Sequence, residues 1–177
     1  PDGSRLANSP GYISSGRTGN LAKEKNDGLD FDISYSQPMS FGSLEFGLAG
    51  NYILKKDNAA NGVVFIDSLL TESRFRGAVT LGANVDNFRF SATLLHTAGN
   101  GLAANATTQT RVDAYNTVDT FLSYTFNDQG YLEDTVLSLQ VTNLFGVRPP
   151  VNLTAPTGYA LGNILGRTFQ LGLSKKF

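Results

Sequence analysis

The residues able to do chemistry are few and are not grouped for catalysis. The chain of 177 residues has no Cys and one His, His96. That excludes thiolate metal sites and cysteine nucleophiles, and leaves no imidazole set for a metal or a Ser-His-Asp hydrolase. Asp30 and Asp32 stand two residues apart, but no base, nucleophile or metal set accompanies them, so no catalytic carboxylate pair is expected. Gly99-Asn100-Gly101-Leu102-Ala103-Ala104 spells a G-x-G-x-x-A dinucleotide fingerprint, with Asp119 twenty residues after Gly99. Such a fingerprint works only where a strand feeds a helix whose N-terminus meets the pyrophosphate. A Thr-rich stretch and then a strand follow here, so the segment reads as a flexible loop. Asn105-Ala106-Thr107 and Asn152-Leu153-Thr154 match the N-glycosylation acceptor pattern and read as loop residues. No catalytic residue, metal or cofactor is predicted.

Binding is better provided for. Arg74 and Arg76 share one face of a strand, as do Asp30 and Asp32 two strands earlier. Two readings stay open: paired charges across a wet interior, or fork-shaped donors for an anionic ligand. Arg148, Asn152, Tyr159 and Asn163 supply donors and an aromatic surface in the last long loop, the kind of segment on which binding residues sit; loop filler is the alternative. His96 falls at the loop end of its strand and reads as a rim residue. Lys and Arg number 14 against 15 Asp and Glu, a net charge of -1, so there is no basic excess for a nucleic-acid partner.

The elements that position these residues are strands. Leu29, Phe31, Ile33 and Tyr35 alternate with polar residues, a period of two that puts the apolar side chains on one face. The same grammar recurs at Leu44 to Leu54, Phe75 to Val85, Phe88 to Leu94, Val118 to Phe126 (interrupted by Phe121), Leu137 to Val141 and Phe169 to Phe177. Seven strands of ~9 to 11 residues are predicted, the length a tilted strand needs to cross a bilayer. Connections alternate between short (Gln37 to Ser43, Asp86-Asn87, Asn127 to Asp134) and long (Asp57 to Thr71, Ala98 to Arg111, Leu144 to Gly166). Val85 and Phe88 flank a two-residue turn and are both apolar, as a hairpin requires. Short turns at one end and long loops at the other describe an outer-membrane barrel. Alternation by itself leaves open whether the apolar face meets lipid or a buried core. The longest strongly apolar run, Val63 to Ile66, is far short of the ~18 residues of a membrane helix and reads as a loop packing on its neighbours. There is no initiator Met and no basic-then-apolar leader, so any targeting signal is expected upstream.

Gly166-Arg167-Thr168-Phe169-Gln170-Leu171-Gly172-Leu173-Ser174-Lys175-Lys176-Phe177 resembles the last strand of TonB-dependent outer-membrane receptors, with its Gly-Arg opening and terminal Phe. Val141-Thr142-Asn143-Leu144-Phe145-Gly146 resembles the Asn-Leu-Phe that closes the penultimate strand of that family. Asn26-Asp27-Gly28-Leu29-Asp30 resembles the opening of an earlier strand. Lys175 departs from the pattern, which usually has an aromatic or apolar residue there. The resemblance implies an all-β, antiparallel transmembrane barrel of about 22 strands, of which residues 1–177 form the seven C-terminal ones. It implies uptake of a scarce nutrient, such as a ferric siderophore, cobalamin or an oligosaccharide, driven through TonB, in the bacterial outer membrane. The implied partners are the rest of the barrel and its plug, the TonB complex through the absent N-terminal part, lipid, and the assembly machinery. Phe169, Leu171, Leu173 and Phe177 are the expected lipid-facing row of the strand that this machinery reads. The competing expectations are a small closed eight-stranded outer-membrane barrel, with Arg5 to Ser15 as the eighth strand and a structural, adhesive or hydrolytic role, and a soluble lipocalin-like binder.

Overall fold

The computed structural model describes residues 22–60, 66–67, 69–102, 108–127, 130–160 and 162–176. In chain order the strands are β1 (Ala22–Met39), β2 (Gly42–Ala60), β3 (Ile66–Asp67), β4 (Phe75–Val85), β5 (Phe88–Thr97), β6 (Asn100–Gly101), β7 (Arg111–Val112), β8 (Tyr115–Phe126), β9 (Thr135–Thr142) and β10 (Thr168–Lys175). The seven predicted strands are β1, β2, β4, β5, β8, β9 and β10. They pair antiparallel in that order into one meander, with β3 added to β2. β6 and β7 form a separate two-stranded piece inside the second long connection. Among the described residues β1 and β10 are edges that do not pair with each other, so the sheet is open. No helix there is long and apolar enough to cross a membrane, which says nothing about strands.

Register carries the apolar pattern across the sheet. Tyr35 faces Phe46, Phe46 faces Leu81, Leu81 faces Ala92, Ala92 faces Thr120, Thr120 faces Val141 and Val141 faces Phe169. Partners directly across an antiparallel ladder share a face, so a single rung fixes the face of every strand. Phe121 interrupts its strand's alternation because it lies on the other face, opposite Ser91 and Gln140.

Several boundaries differ from expectation, each for a local reason. β1 and β2 run to 18 and 19 residues because β4 covers β2 only as far as Tyr52. Beyond that point the hairpin continues as a ribbon rich in charged residues, paired with β3 at Asp57 and Asn58, which alternation of apolar residues cannot reveal. The register shifts between Asp27 and Gly28, where Asp27 meets Lys55 and Gly28 meets Ile53. Leu54 is therefore the extra residue of a β-bulge and not the next member of the apolar row. The first turn is tighter than expected, since strands reach Met39 and Gly42. Gly42 has φ +143 and its missing Cβ would overlap the Asn84 carbonyl, so only glycine fits this close approach. β8 begins at Tyr115, three residues before the expected Val118.

The large apolar side chains are exposed. Leu81 is 57% exposed, Phe169 67%, Leu171 73% and Leu173 75%. On β8 the contrast between faces is direct: Leu122 is 43% exposed and its neighbour Ser123 8%. Buried hydrophobics among the described residues are Leu69, Leu102, Val112 and Val141. Three of these lie in the long connections, where the turn Leu69–Thr71 and the β6–β7 piece pack together. The sheet thus has no apolar interior of its own. Aromatic contacts mark both ends of the apolar face. Phe31 stacks on Phe75 at 6.4 Å, and Phe75 lies 6.5 Å from Tyr52 and 5.6 Å from His96 at the long-loop end. Phe88, Tyr124 and Phe126 cluster at 4.6 and 4.8 Å at the turn end. Phe31 and Phe75 lie over Gly50 and Gly77, where a Cβ would strike their rings.

Candidate functional site

One rung of the polar face organises the site. Asp30, Asn51, Arg76, Thr97 and Tyr115 stand side by side on β1, β2, β4, β5 and β8. A cavity of about 590 Å³ opens on this rung, walled by Asn51, Arg76, Leu95, Thr97, Tyr115 and Thr117, with Gly162 of the last long loop beside them. A second cavity of about 150 Å³ lies toward the loops and shares Arg76, Thr97 and Tyr115 with the first; Ser73, Asn100 and Asn152 also line it. Arg76 therefore stands between the two.

The last long loop folds back over this end of the sheet because its first residue is clamped. Asn143 has φ +54 and its side chain is 1% exposed. Its backbone N–H donates to Asp119 Oδ1 at 2.8 Å, its Nδ2 donates to the Val147 carbonyl at 2.8 Å and its Oδ1 accepts from the Val147 N–H at 2.9 Å. Asn tolerates the left-handed region and replaces the lost ladder bonds with side-chain ones. The Tyr115 hydroxyl donates to the Val147 carbonyl at 3.4 Å. Gly162 fits against the Tyr115 ring and Pro149, where a Cβ would lie 3.0 to 3.1 Å from both. Farther out, Gln109 reads the same loop as a strand would: its Nε2 donates to the Val151 carbonyl at 2.7 Å and its Oε1 accepts from the Leu153 N–H at 2.9 Å.

The predicted binding residues separate on this geometry. Arg76 and Asn152 come together on the smaller cavity. Asn163 lies in the loop beside Gly162, its Oδ1 accepting from the Leu165 N–H at 2.9 Å. Tyr159 bridges to Val151 and is exposed, Arg148 is exposed, and neither lines a cavity described here. Arg74 precedes β4, and its carbonyl accepts from the Ile53 N–H at 2.8 Å; it does not join Arg76 on the cavity wall. Asp30 accepts a hydrogen bond from Asn51 Nδ2 instead of reaching an arginine. The pair across the polar face is Glu45 with Arg89, at 3.6 Å near the turn end. His96 ends an apolar row and its Nδ1 lies 2.6 Å from Asn116 Oδ1. Gly101 lies in the short strand β6 and Gly99 just before it, without an α-helix after them among the described residues; Ala103, Ala104, both residues of the Asn105 and Thr107 pattern, Val63 to Phe65, Arg5 to Ser15 and Phe177 lie outside those residues. Tyr115, Asn51, Gln109 and Asn143 were not legible as site residues, since their roles come from register and from a loop that folds back.

On the β1–β2 ribbon beyond Tyr52, Lys56 meets Glu72 at 3.0 Å and Glu24 at 3.6 Å. The hydrogen bond to Glu72 holds the Lys56 ammonium above its ordinary pKa against partial desolvation. The Asn26 amide, then the Lys56 charge, hold the exposed Glu24 carboxyl below its ordinary range. Among the described residues no group of three or more His, Asp or Glu side chains is arranged to hold a metal ion.

Comparison with known proteins gives one match. No curated protein and no solved structure matches the chain. The family model described as TonB dependent receptor-like, beta-barrel, matches residues 3–144. The matched span holds β1 to β9 and ends within the Asn-Leu-Phe segment; the Gly166 to Phe177 motif lies beyond it. With most of its length matched and an antiparallel meander as its structure, the chain belongs to the TonB-dependent receptor-like β-barrel family.

Proposed function

We propose that this chain forms one wall, the last seven strands, of a larger closed receptor barrel in the bacterial outer membrane. That barrel takes up a scarce nutrient, a ferric siderophore, a cobalamin or an oligosaccharide, with energy supplied through TonB, and is a transporter and not an enzyme. The observation that carries the reading is the sidedness of the sheet: uncovered apolar rows on one face and polar, cavity-bearing rows on the other. A soluble barrel buries its apolar rows inward, whereas a membrane barrel turns them to lipid. β4, with 11 residues, is about 36 Å long at ~3.3 Å per residue and about 28 Å tall at a ~40° tilt, against an apolar band of about 25 Å. Aromatic contacts at both ends of that face match the girdles at the two interfaces.

The open edges supply the partners. In hydrocarbon each unpaired backbone group costs several kcal/mol, so β1 and β10 pair with further strands of the same barrel. In a meander of seven strands β1 and β10 run in the same direction; closure with antiparallel neighbours throughout then takes an odd number of further strands, and about fifteen brings the total to about 22. The polar face meets the plug, the apolar face meets lipid, and the strand ending at Phe177 meets the assembly machinery. Cells lacking the receptor should fail to grow on one limiting source among ferric chelates, corrins and glycans, and should fail equally when TonB is removed. Unchanged growth on all three classes would refute the reading.

A further inference from the structure

The three long connections are bonded to one another and not only to the strands they join. Between the first and the second, Asn100 Nδ2 donates to the Thr71 carbonyl at 3.0 Å and Ser73 Oγ donates to the Ala98 carbonyl at 2.7 Å. Leu70 lies against Gly101, where a Cβ would stand 2.9 Å from its Cδ1. Leu69 of the first connection and Leu102 and Val112 of the second are buried, in a chain whose strands leave their large apolar side chains exposed. Between the second and the third, the Gln109 side chain makes the joint. Its Nε2 donates to the Val151 carbonyl at 2.7 Å and, within its own connection, to the Arg111 carbonyl at 2.8 Å, while its Oε1 accepts from the Leu153 N–H at 2.9 Å. The smaller cavity marks the seam, since Thr71 and Ser73, Asn100 and Val112, and Pro150 and Asn152 line it from the three connections in turn.

We propose that the described parts of these connections, residues 69–73, 98–102, 108–113, 150–160 and Gly162, form one cap that opens and closes over the larger cavity as a single body. Surface loops that touch only solvent open one at a time at almost no free-energy cost. Here opening any one connection breaks bonds to another. Lifting the last one strips both joints from Gln109, and displacing the first takes Leu70 off β6 and the Thr71 carbonyl off Asn100. Gly162 is the part of the cap that reaches the larger cavity, seated against the Tyr115 ring. Leu69 lines neither cavity, yet it controls access to the larger one through the β6–β7 piece and Gln109. This goes beyond the receptor reading, because it needs neither the nutrient nor TonB and assigns the wall a gate whatever the cargo.

The test uses the whole receptor, purified in detergent and carrying Ala78→Cys on the wall of the larger cavity. Maleimide labelling at that residue is read by mass spectrometry, beside amide exchange at Leu102, Asn152 and Ala160, whose N–H groups are bonded within the cap. Leu69→Ala should speed all three amides and the labelling by one common factor of at least about tenfold, as truncating a packed leucine in a unit that opens as a whole requires. Exchange in β4 and β5 should not change. Leu69→Val, a smaller truncation, should give the same pattern at lower amplitude if the alanine variant does not assemble. Gln109→Ala should speed Asn152, Ala160 and the labelling but not Leu102, and in that background Leu69→Ala should lose most of its effect on the labelling. The proposal is overturned if the Leu69 variants speed Leu102 alone, if labelling at Ala78→Cys stays at the parent rate, or if the Leu69 and Gln109 effects on labelling simply multiply. It is also overturned if exchange in β4 and β5 rises by the same factor, because the connections would then open only with the wall. Each of these leaves the membrane-receptor reading standing, because that reading fails only if the purified protein is not a membrane-inserted barrel.

Discussion

Lys175 stands on an apolar row next to Leu173 and Leu171, opposite Thr135, and its ammonium donates to the Tyr131 carbonyl in the β8–β9 turn. A lysine near the end of a lipid-facing strand lays its stem on apolar surface and reaches polar groups at the rim. In the proposed barrel, that is how this strand tolerates a charge where its family resemblance calls for an apolar residue. Leu171 lies deeper, with no such carbonyl in reach. Leu171→Lys should cost about 2–4 kcal/mol in a lipid-reconstituted receptor, the range for a cation at the midplane, and Lys175→Leu about 1 kcal/mol or less, read by urea unfolding. Asn143 shows the opposite economy: a buried polar side chain that satisfies both backbone groups of Val147 across one tight turn. Asn143→Ala should cost about 1–3 kcal/mol through those lost bonds and admit protease between residues 144 and 166. Asn143→Asp, which keeps the acceptor and the tolerance for positive φ, should cost less.

At the scale of elements, the strands were legible because alternation of apolar residues is a property of neighbours along the chain. The pairing of Val85 with Phe88 across Asp86-Asn87 followed from turn geometry and stands in the structure. What sequence could not show depends on partners far apart in the chain. The ribbon beyond Leu54 is mostly polar on both faces, so no periodicity announced it, and the bulge at Leu54 exists only relative to β1. In the same way Arg74 and Arg76 read as a pair by spacing, yet β4 begins at Phe75 and only Arg76 enters the cavity wall. Gln109 carried no signal at all. By joining the β5–β8 connection to the last loop it makes the two move together, so Gln109→Ala should speed amide exchange across residues 150–160 without changing exchange in β4 or β5. Lys56 ties the ribbon to the β2–β4 connection in a pH-dependent way. Its raised folded pKa adds stability below its ordinary value that is lost as pH rises through the folded one. The depressed carboxyl of Glu24 adds stability above its ordinary value that is lost as pH falls through the folded one. Exchange of the ribbon amides should be slowest between those limits and rise on either side, after correction for intrinsic rates.

The whole molecule has a surface that makes sense only in company. Large apolar side chains are uncovered on one face, cavities and charges lie on the other, and both edges are open. Such a sheet cannot bury enough apolar area to fold alone in water, and an open edge is a template for aggregation. The isolated 177-residue chain should therefore aggregate on refolding into detergent, without the heat-modifiable gel band of a closed barrel; a monomeric protease-resistant product would refute its role as one wall. The sidedness itself can be read directly, because this chain contains no Cys and single spin labels can be placed along one strand. Labels at Ala78 through Ala83 of β4, in the receptor reconstituted in lipid vesicles, would be probed for collision with lipid-soluble oxygen and with a water-soluble nickel chelate. Oxygen accessibility should peak at Val79, Leu81 and Ala83 and the chelate should prefer Ala78, Thr80 and Gly82; a profile without period two, or with the opposite phase, would contradict the assignment of the apolar face to lipid.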